Sequence, residues 1–435
     1  MGEAITTDEQ ATLIKADLLI PGRGEPLHDA ALVADNEKIL YVGPQTNIPS
    51  EYTTLEATHV PVLMPGMWDC HAHFLGMNSF SIHESAFADP VLVGARISRD
   101  ATEYLNAGFT SVRETGGYGI HLDMAVQEGI VIGPKIYSCG DILSQTGGHG
   151  DVHDMPLHAY TGICSRGYMS TLCDGVDECL KAVRTQIRKG ACFVKICASG
   201  GLGTLRDNPS HQQFSDVEIQ TFVDEAKRNG RIVAAHCHGK PGILAALNAG
   251  VRTIEHGTEL DDECIELMLK KGAILVPTRS LHHVSLELGK WTSGPAFKKL
   301  QRAVPIHAQA YSKAIKAGVK IALGSDLFLS SPGHMASHGS AGLEVMFAVE
   351  AGMTPLEAIE AATANCPDTL GDQAPANGTG QLKEGFAPDF IAVAKDPLQD
   401  INVLTDATNI THVWRGGKLY KSPSTPIIPV ALQKK

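Results

Sequence analysis

The run Arg231-Ile232-Val233-Ala234-Ala235 is short and apolar, and it ends on a polar residue, His236. Ahead of it, Ser215 and Glu218 form a capping box that starts a helix. Seven further runs share this plan: Val62 to Met67, Phe109 to Val112, Lys135 to Ser138, Cys192 to Ile196, Arg252 to Ile254, Ala273 to Val276 and Val319 to Leu323. Each gives way to a polar or glycine-rich stretch and then a helical pattern. From first to last they recur at roughly 37 residues, which suits a strand, a loop and a helix. Eight such units predict an α/β fold, a (β/α)8 TIM barrel. Thr354, Pro355 and Glu357 open one more helix with cap, first-turn proline and acidic third residue.

The two ends of the chain read differently. Residues 12–61 and 380–418 alternate apolar and polar side chains between turn signals such as Pro21-Gly22 and Gly416-Gly417. Neither end has enough strands for a sheet of its own, so the two are expected to pair into one small β-sandwich domain. The expected organisation is residues 1–63 and 379–435 as the two parts of that domain and 64–378 as the barrel.

Composition limits the function classes. The 435 residues are 43% hydrophobic and 19% charged, the balance of a globular protein with a sizeable core. Thirty-six basic against 48 acidic residues give a net charge of −12, and no basic run is present to track a phosphate backbone. Nucleic acid is therefore not an expected partner. No apolar stretch approaches the 18 or so residues needed to span a bilayer, so no membrane partner is expected either. The opening Met1 to Gln10 lacks the basic start and apolar stretch of a signal peptide, as a mature secreted chain also would. The ten cysteines show no CxxC pair and read as small buried apolar residues. Asn377-Gly-Thr379 and Asn409-Ile-Thr411 are glycosylation sequons that fit secretion but also arise by chance.

Function is suggested by where the unusual residues fall. His71 and His73, in Trp68-Asp69-Cys70-His71-Ala72-His73, lie just past the first run, and residues two apart on extended chain point the same way. Lys195 lies near the end of the fourth run, His236 ends the fifth, His256 the sixth and Asp326 the eighth. All six lie at carboxyl ends of barrel strands, where this fold gathers its active site. Any one of these histidines alone would more often be a hydrogen-bonded core or loop residue. Four histidines, a lysine and an aspartate at the same end of five strands are hard to obtain from packing needs. Imidazole and carboxylate suit zinc or a similar cation, and six groups exceed one tetrahedral site.

With the HxH, the fourth-strand lysine, the two later histidines and the final aspartate, the chain resembles the binuclear amidohydrolase superfamily. The stretch from Gly380 to Val393 is similar to that superfamily's closing motif, so the resemblance covers essentially the whole chain. It implies that carbon dioxide carboxylates Lys195 and that the carbamate bridges two divalent cations, expected to be Zn2+. His71, His73 and Asp326 would bind the first and His236 and His256 the second, with a hydroxide between them. Asp326 would take the hydroxide's proton and pass it to the leaving amine. Within the superfamily the resemblance is to the prolidase-like branch, which cleaves N-acyl and dipeptide amides ahead of a free carboxylate. That implies a small-molecule amide as substrate, an N-acyl L-amino acid or an aryl-acyl amide. It also implies a homo-oligomer, an octamer, and secretion, with the cytoplasm as the alternative.

Three loops suggest how a substrate is held. Residues 141–175, containing Gly147-Gly148-His149-Gly150, form a connection long enough to cover the site. Residues 200–206 offer backbone amides and the Arg206 guanidinium, and His238 shares its direction with His236. The resemblance implies that His149 and His238 contact the substrate's carbonyl or carboxylate. His282, His283, His334 and His338 fall in loops where lining the pocket and plain exposure are equally open. Asp69 either supports the HxH from behind or caps a strand, and Cys70 and Cys237 point away from the metals into packing. The competing readings are a ring-opening amidase of dihydroorotase or hydantoinase type, an Xaa-Pro dipeptidase, a mononuclear deaminase, and a catalytically dead scaffold. The deaminase has no use for Lys195, and the scaffold would have lost ligands that are all present here.

Overall fold

The computed structural model describes residues 11–81, 84, 86–165, 168–287 and 295–427. Met1 to Gln10, read for a signal peptide, and the last residues of the C-terminal β segment lie outside the described residues. The barrel strands are Met67–Met77, Phe109–Glu114, Lys135–Ser138, Val194–Cys197, Val233–Cys237, Thr253–His256 and Ile274–Val276, all parallel to their neighbours within two sheets. Two seams close the ring. Between the third and fourth strands, Cys192 N donates to Ser138 O at 2.8 Å. At the other seam the run from Val319 to Leu323 is an irregular eighth strand. Ile321 bridges Leu275, and Cys70 N donates to Leu323 O at 2.8 Å. A short strand, Leu327–Leu329, continues along the first.

Alternation then sorts the side chains. In the fifth strand Val233, Ala235 and Cys237 join the core under the helices, whereas Ala234 packs with Trp68, Cys70, Phe193, Ile274 and Val276 inside the barrel. That plug closes the floor, and His236, in phase with Ala234, stands above it. All ten cysteines are free thiols, so none crosslinks the fold. Ser215 with Glu218 and Thr354 with Glu357 form the expected capping boxes.

The run Val62 to Met67 is not one barrel strand. Val62 belongs to Ala57–Pro65, in the β domain, and the barrel begins with Met67–Met77. Gly66 separates them, where any Cβ would sit 2.1 Å from Thr110 Oγ1. Both strands are continuously apolar at the junction, so hydrophobicity alone does not reveal the break. The β domain is one seven-stranded sheet in which Phe390–Val393 from the C-terminal segment pairs with Ala57–Pro65 from the N-terminal one. It folds over on itself as a sandwich. Ile39 N donates to Phe386 O at 2.8 Å, and Ile14, Leu32, Phe390 and Trp414 share one core. No described helix is long and apolar enough to cross a membrane.

Candidate metal centre and active site

The first barrel strand delivers His71 and His73, and hydrogen bonding fixes which nitrogen each turns inward. His71 Nδ1 lies 2.7 Å from the Glu255 carboxylate and His73 Nδ1 lies 2.8 Å from Gly116 O. Carboxylate and carbonyl oxygens only accept, so both Nδ1 atoms carry the proton and both Nε2 atoms present lone pairs. Those Nε2 atoms lie 3.4 Å and 3.1 Å from Asp326 Oδ1. Three ligands each 2.0–2.1 Å from a tetrahedral cation stand about 3.3 Å apart, so this donor set fits a zinc-like ion. Lys195 Nζ reaches to 3.4 Å from His71 Nε2. On the far side His236 Nδ1 and His256 Nε2 are 2.7 Å apart, and the His71 and His256 ring centres are separated by 5.1 Å. The six residues read from the sequence therefore meet at one rim.

The backbone is bent to bring them there. Asp326 and His256 have φ of 62° and 70°, a left-handed conformation that costs a non-glycine residue on the order of 1–3 kcal/mol. The Asp326 amide donates to His71 O at 2.6 Å, and Asp69 clamps the same junction. Asp69 Oδ1 accepts from His71 N and Ser325 N, both at 3.0 Å, and Oδ2 accepts from the Tyr104 hydroxyl at 2.9 Å and from the Ser325 hydroxyl. It thus joins the strand that carries the HxH to the turn that carries Asp326, the supporting role rather than the strand cap. Burial raises its pKa, and the four hydrogen bonds oppose that shift.

Two residues that the sequence reading passed over complete the support. Glu255 sits fully buried between His71 and Arg113, whose Nη2 donates to Glu255 Oε1 at 2.6 Å. Burial alone would raise the Glu255 pKa, yet the Arg113 guanidinium and His71 hold it far below the usual carboxylate range. Burial, then the Lys195 charge, pushes His71 down to about 4. For Asp326 burial works upward, but His71 and His73 outweigh it and keep the carboxylate ionised.

Above the rim opens a cavity enclosing about 1060 Å³ including its mouth. Its walls are mainly apolar, among them Leu75, Met77, Phe80, Ile142, Met169, Leu202, Leu281 and Phe328, with His149, Thr204, His238, His282 and Ser285 as polar exceptions above the rim. His149 stacks on His236 with ring centres 4.2 Å apart, and His238 stacks on His256 at 4.7 Å. Residues 141–175 do lie against the site, but as a folded excursion containing the strands Ile142–Ser144 and Ser170–Leu172 and the helix Leu157–Cys164.

Arg206 is a correction. It is exposed and does not line the cavity, because Lys299 pins the turn on both sides of it, through Gly201 O and Thr204 O before and Asp207 after, leaving Leu205 and Arg206 at the solvent-facing apex. Among the histidines left open, His282 is buried and lines the cavity, whereas His283 pairs with Glu287 outside it. His338 is buried behind the rim, stacked on Phe74 and 3.0 Å from His73 O. His334 accepts from Ala336 N at 3.0 Å within its own turn.

A barrel with this donor set and a sandwich built from both chain ends has known counterparts. Residues 62–420 match the model of the amidohydrolase family. The chain belongs to the amidohydrolase family. Ochratoxinase from Aspergillus niger is 47% identical, over 97% of this chain and 88% of its own length. The crystal structure of A. niger ochratoxinase has a TM-score of 0.89 at 44% identity, covering 98% of this chain and 99% of that one. A Xaa-Pro dipeptidase solved with methionine in its active site has a TM-score of 0.83 at 30% identity, covering 95% and 100%. The resemblance to the amidohydrolase superfamily and its prolidase-like branch is borne out, and fungal ochratoxinase is among the relatives found. As an amidohydrolase, the protein is a metal-dependent hydrolase of amide bonds.

Proposed function

We propose that the protein hydrolyses the amide of N-acyl L-amino acids, ochratoxin A included, using two Zn2+ ions. The observation that carries this reading is the convergence of His71, His73, Lys195, His236, His256 and Asp326 on one rim beneath an apolar cavity. His71, His73 and Asp326 would hold one ion and His236 and His256 the other, and Lys195, once carbon dioxide had converted its amine to a carbamate with loss of a proton, would supply a further anionic ligand at the same rim. When bound, such ions lower the pKa of water to near 7 and polarise the scissile carbonyl.

The side chains do the rest. Asp326, ionised and held between His71 and His73, accepts the water's proton and delivers it to the departing amine. Hydroxide adds to the acyl carbon, the C–N bond breaks, and one water is consumed. From ochratoxin A the products are L-phenylalanine and the isocoumarin acid. His149 and His238 hold the substrate's carbonyl or carboxylate, and the apolar wall accommodates the aryl group.

The likeness to a Xaa-Pro dipeptidase supports a second reading, with proline as the amine released. One assay separates them. Release of phenylalanine from ochratoxin A and from N-acyl amino acids is compared with cleavage of Xaa-Pro dipeptides and with dihydropyrimidine and hydantoin ring opening, with and without a chelator. Chelator-sensitive release of phenylalanine is expected. Ring opening or Xaa-Pro cleavage without it refutes the assignment.

A further inference from the structure

His236 and His256 have a third imidazole beside them. His238 repeats after the fifth strand the two-residue spacing of His71 and His73 after the first, and its ring centre lies 4.6 Å from His236 and 4.7 Å from His256. The three rings are buried and offer ligand atoms that all lie within 4.8 Å of one another. Each ring is anchored by its other nitrogen. His236 Nε2 lies 3.2 Å from Gly200 O, which only accepts, so Nε2 holds the proton and Nδ1 the lone pair. The Nδ1 atoms of His238 and His256 each lie 2.7 Å from a threonine hydroxyl, of Thr258 and Thr278, which leaves both Nε2 atoms for the shared side. Outer hydrogen bonds of this kind hold the orientation of ligating histidines; the Gly200 carbonyl also sets the His236 tautomer, whereas the threonine hydroxyls, which donate or accept, serve either tautomer of His238 and His256. His236 Nδ1 stands 2.7 Å from His256 Nε2, the spacing of an N–H···N hydrogen bond, so the two rings must part by about 0.6 Å to reach the roughly 3.3 Å that separates two ligands of one tetrahedral cation.

We infer that His236, His238 and His256 form a three-imidazole site that binds one divalent cation of the zinc class without Lys195. This rests on the metal reading of the same rim and adds an order of assembly. Such a site would let one ion be held before Lys195 is carboxylated, with His238 free to turn to the substrate once the carbamate supplies a ligand.

The test is metal stoichiometry. Chelator-stripped protein is dialysed against Zn2+ in buffer depleted of carbon dioxide, or in bicarbonate, and analysed for bound metal. The Co2+ form is followed by its visible absorption. In a His71→Ala/His73→Ala background, which removes the other donor set, Lys195→Ala should hold one equivalent with a four-coordinate Co2+ spectrum, and adding His238→Ala should leave none. Adding His238→Gln instead, which keeps a polar group beside Thr258, repeats the second measurement should the alanine variant misfold, and circular dichroism confirms the fold of each. A folded Lys195→Ala protein of that background that binds nothing overturns the inference alone, as does a His238 variant that keeps the equivalent. Wild-type protein that binds no metal in bicarbonate overturns the metal reading beneath it.

Discussion

Glu255→Gln should disarm His71 while leaving every proposed ligand in place. Glu255 has no exposed surface, and its two oxygens are divided between Arg113 Nη2 at 2.6 Å and His71 Nδ1 at 2.7 Å. The guanidinium has only donors, so the oxygen of a glutamine amide must face Arg113 and its NH2 must face His71. Nδ1 then has to accept, the imidazole proton moves to Nε2, and the nitrogen aimed at Asp326 and Lys195 loses its lone pair. Loss of such an outer partner weakens metal binding about 10- to 100-fold. The substitution also leaves Arg113 buried without its counter-charge, although Cys70 O at 2.6 Å and the Thr253 hydroxyl at 3.2 Å still accept from it. Breaking a buried pair costs about 3–5 kcal/mol, and the remaining acceptors place this case near the lower bound. Metal affinity is read by competition with a chromophoric chelator and stability by urea unfolding of the metal-free chain. Wild-type affinity in a folded Glu255→Gln variant would refute the tautomer argument. An unchanged urea midpoint would refute the buried-charge argument.

Asp326→Asn should lower turnover by on the order of 10² to 10⁴ while much of the metal remains, since an amide cannot carry the proton. Retention of full turnover would remove Asp326 from proton transfer. Lys195→Ala should lose activity and the second equivalent of metal, with partial return on adding a short carboxylic acid, and unimpaired turnover excludes the bridge. Gly201→Ala would put a methyl group 1.9 Å from His149 Nδ1, displacing that ring from its stack on His236. A raised KM is expected, and wild-type kinetics would show that His149 does not need its place. The pH dependence has a definite sign. Burial is the main cause that pushes His71 and His282 each down to about 4 from 6.5. Between those pH values the unfolded chain binds more protons than the folded one, so metal-free protein loses stability as pH falls. The slope is about 1.4 kcal/mol per pH unit per group. Urea midpoints that stay level from pH 6.5 to 5 would contradict this.

The proposed ligands were legible because each breaks a local rule. Lys195, His236 and His256 interrupt or end apolar strands, and the strand period gives their direction, so their convergence follows from the barrel alone. Arg206 shows the limit of that logic. A charge in a glycine-rich loop has no strand phase, and Lys299, from a helix 92 residues on, decides which part of the loop turns outward. The break at Gly66 was hidden because a sandwich strand and a barrel strand are apolar in the same way where they meet.

Glu255 and Arg113 escaped for a different reason, although both interrupt apolar strands as Lys195 does. A buried charge is tolerated only with its partner, and these two are 142 residues apart, so each by itself reads as a misplaced surface residue. Strand phase nevertheless contains the answer. Glu255 shares the phase of Thr253, whose hydroxyl bonds to it inside the barrel, and Arg113 shares the phase of Ser111 on the second strand. Opposite charges on two barrel strands, one immediately before a ligand and the other in the strand after the HxH, are more economically explained as one interior pair than as two errors. Applied to this fold, that rule finds the group that sets the His71 tautomer before any coordinates are known, and Glu255→Gln tests the rule together with the group.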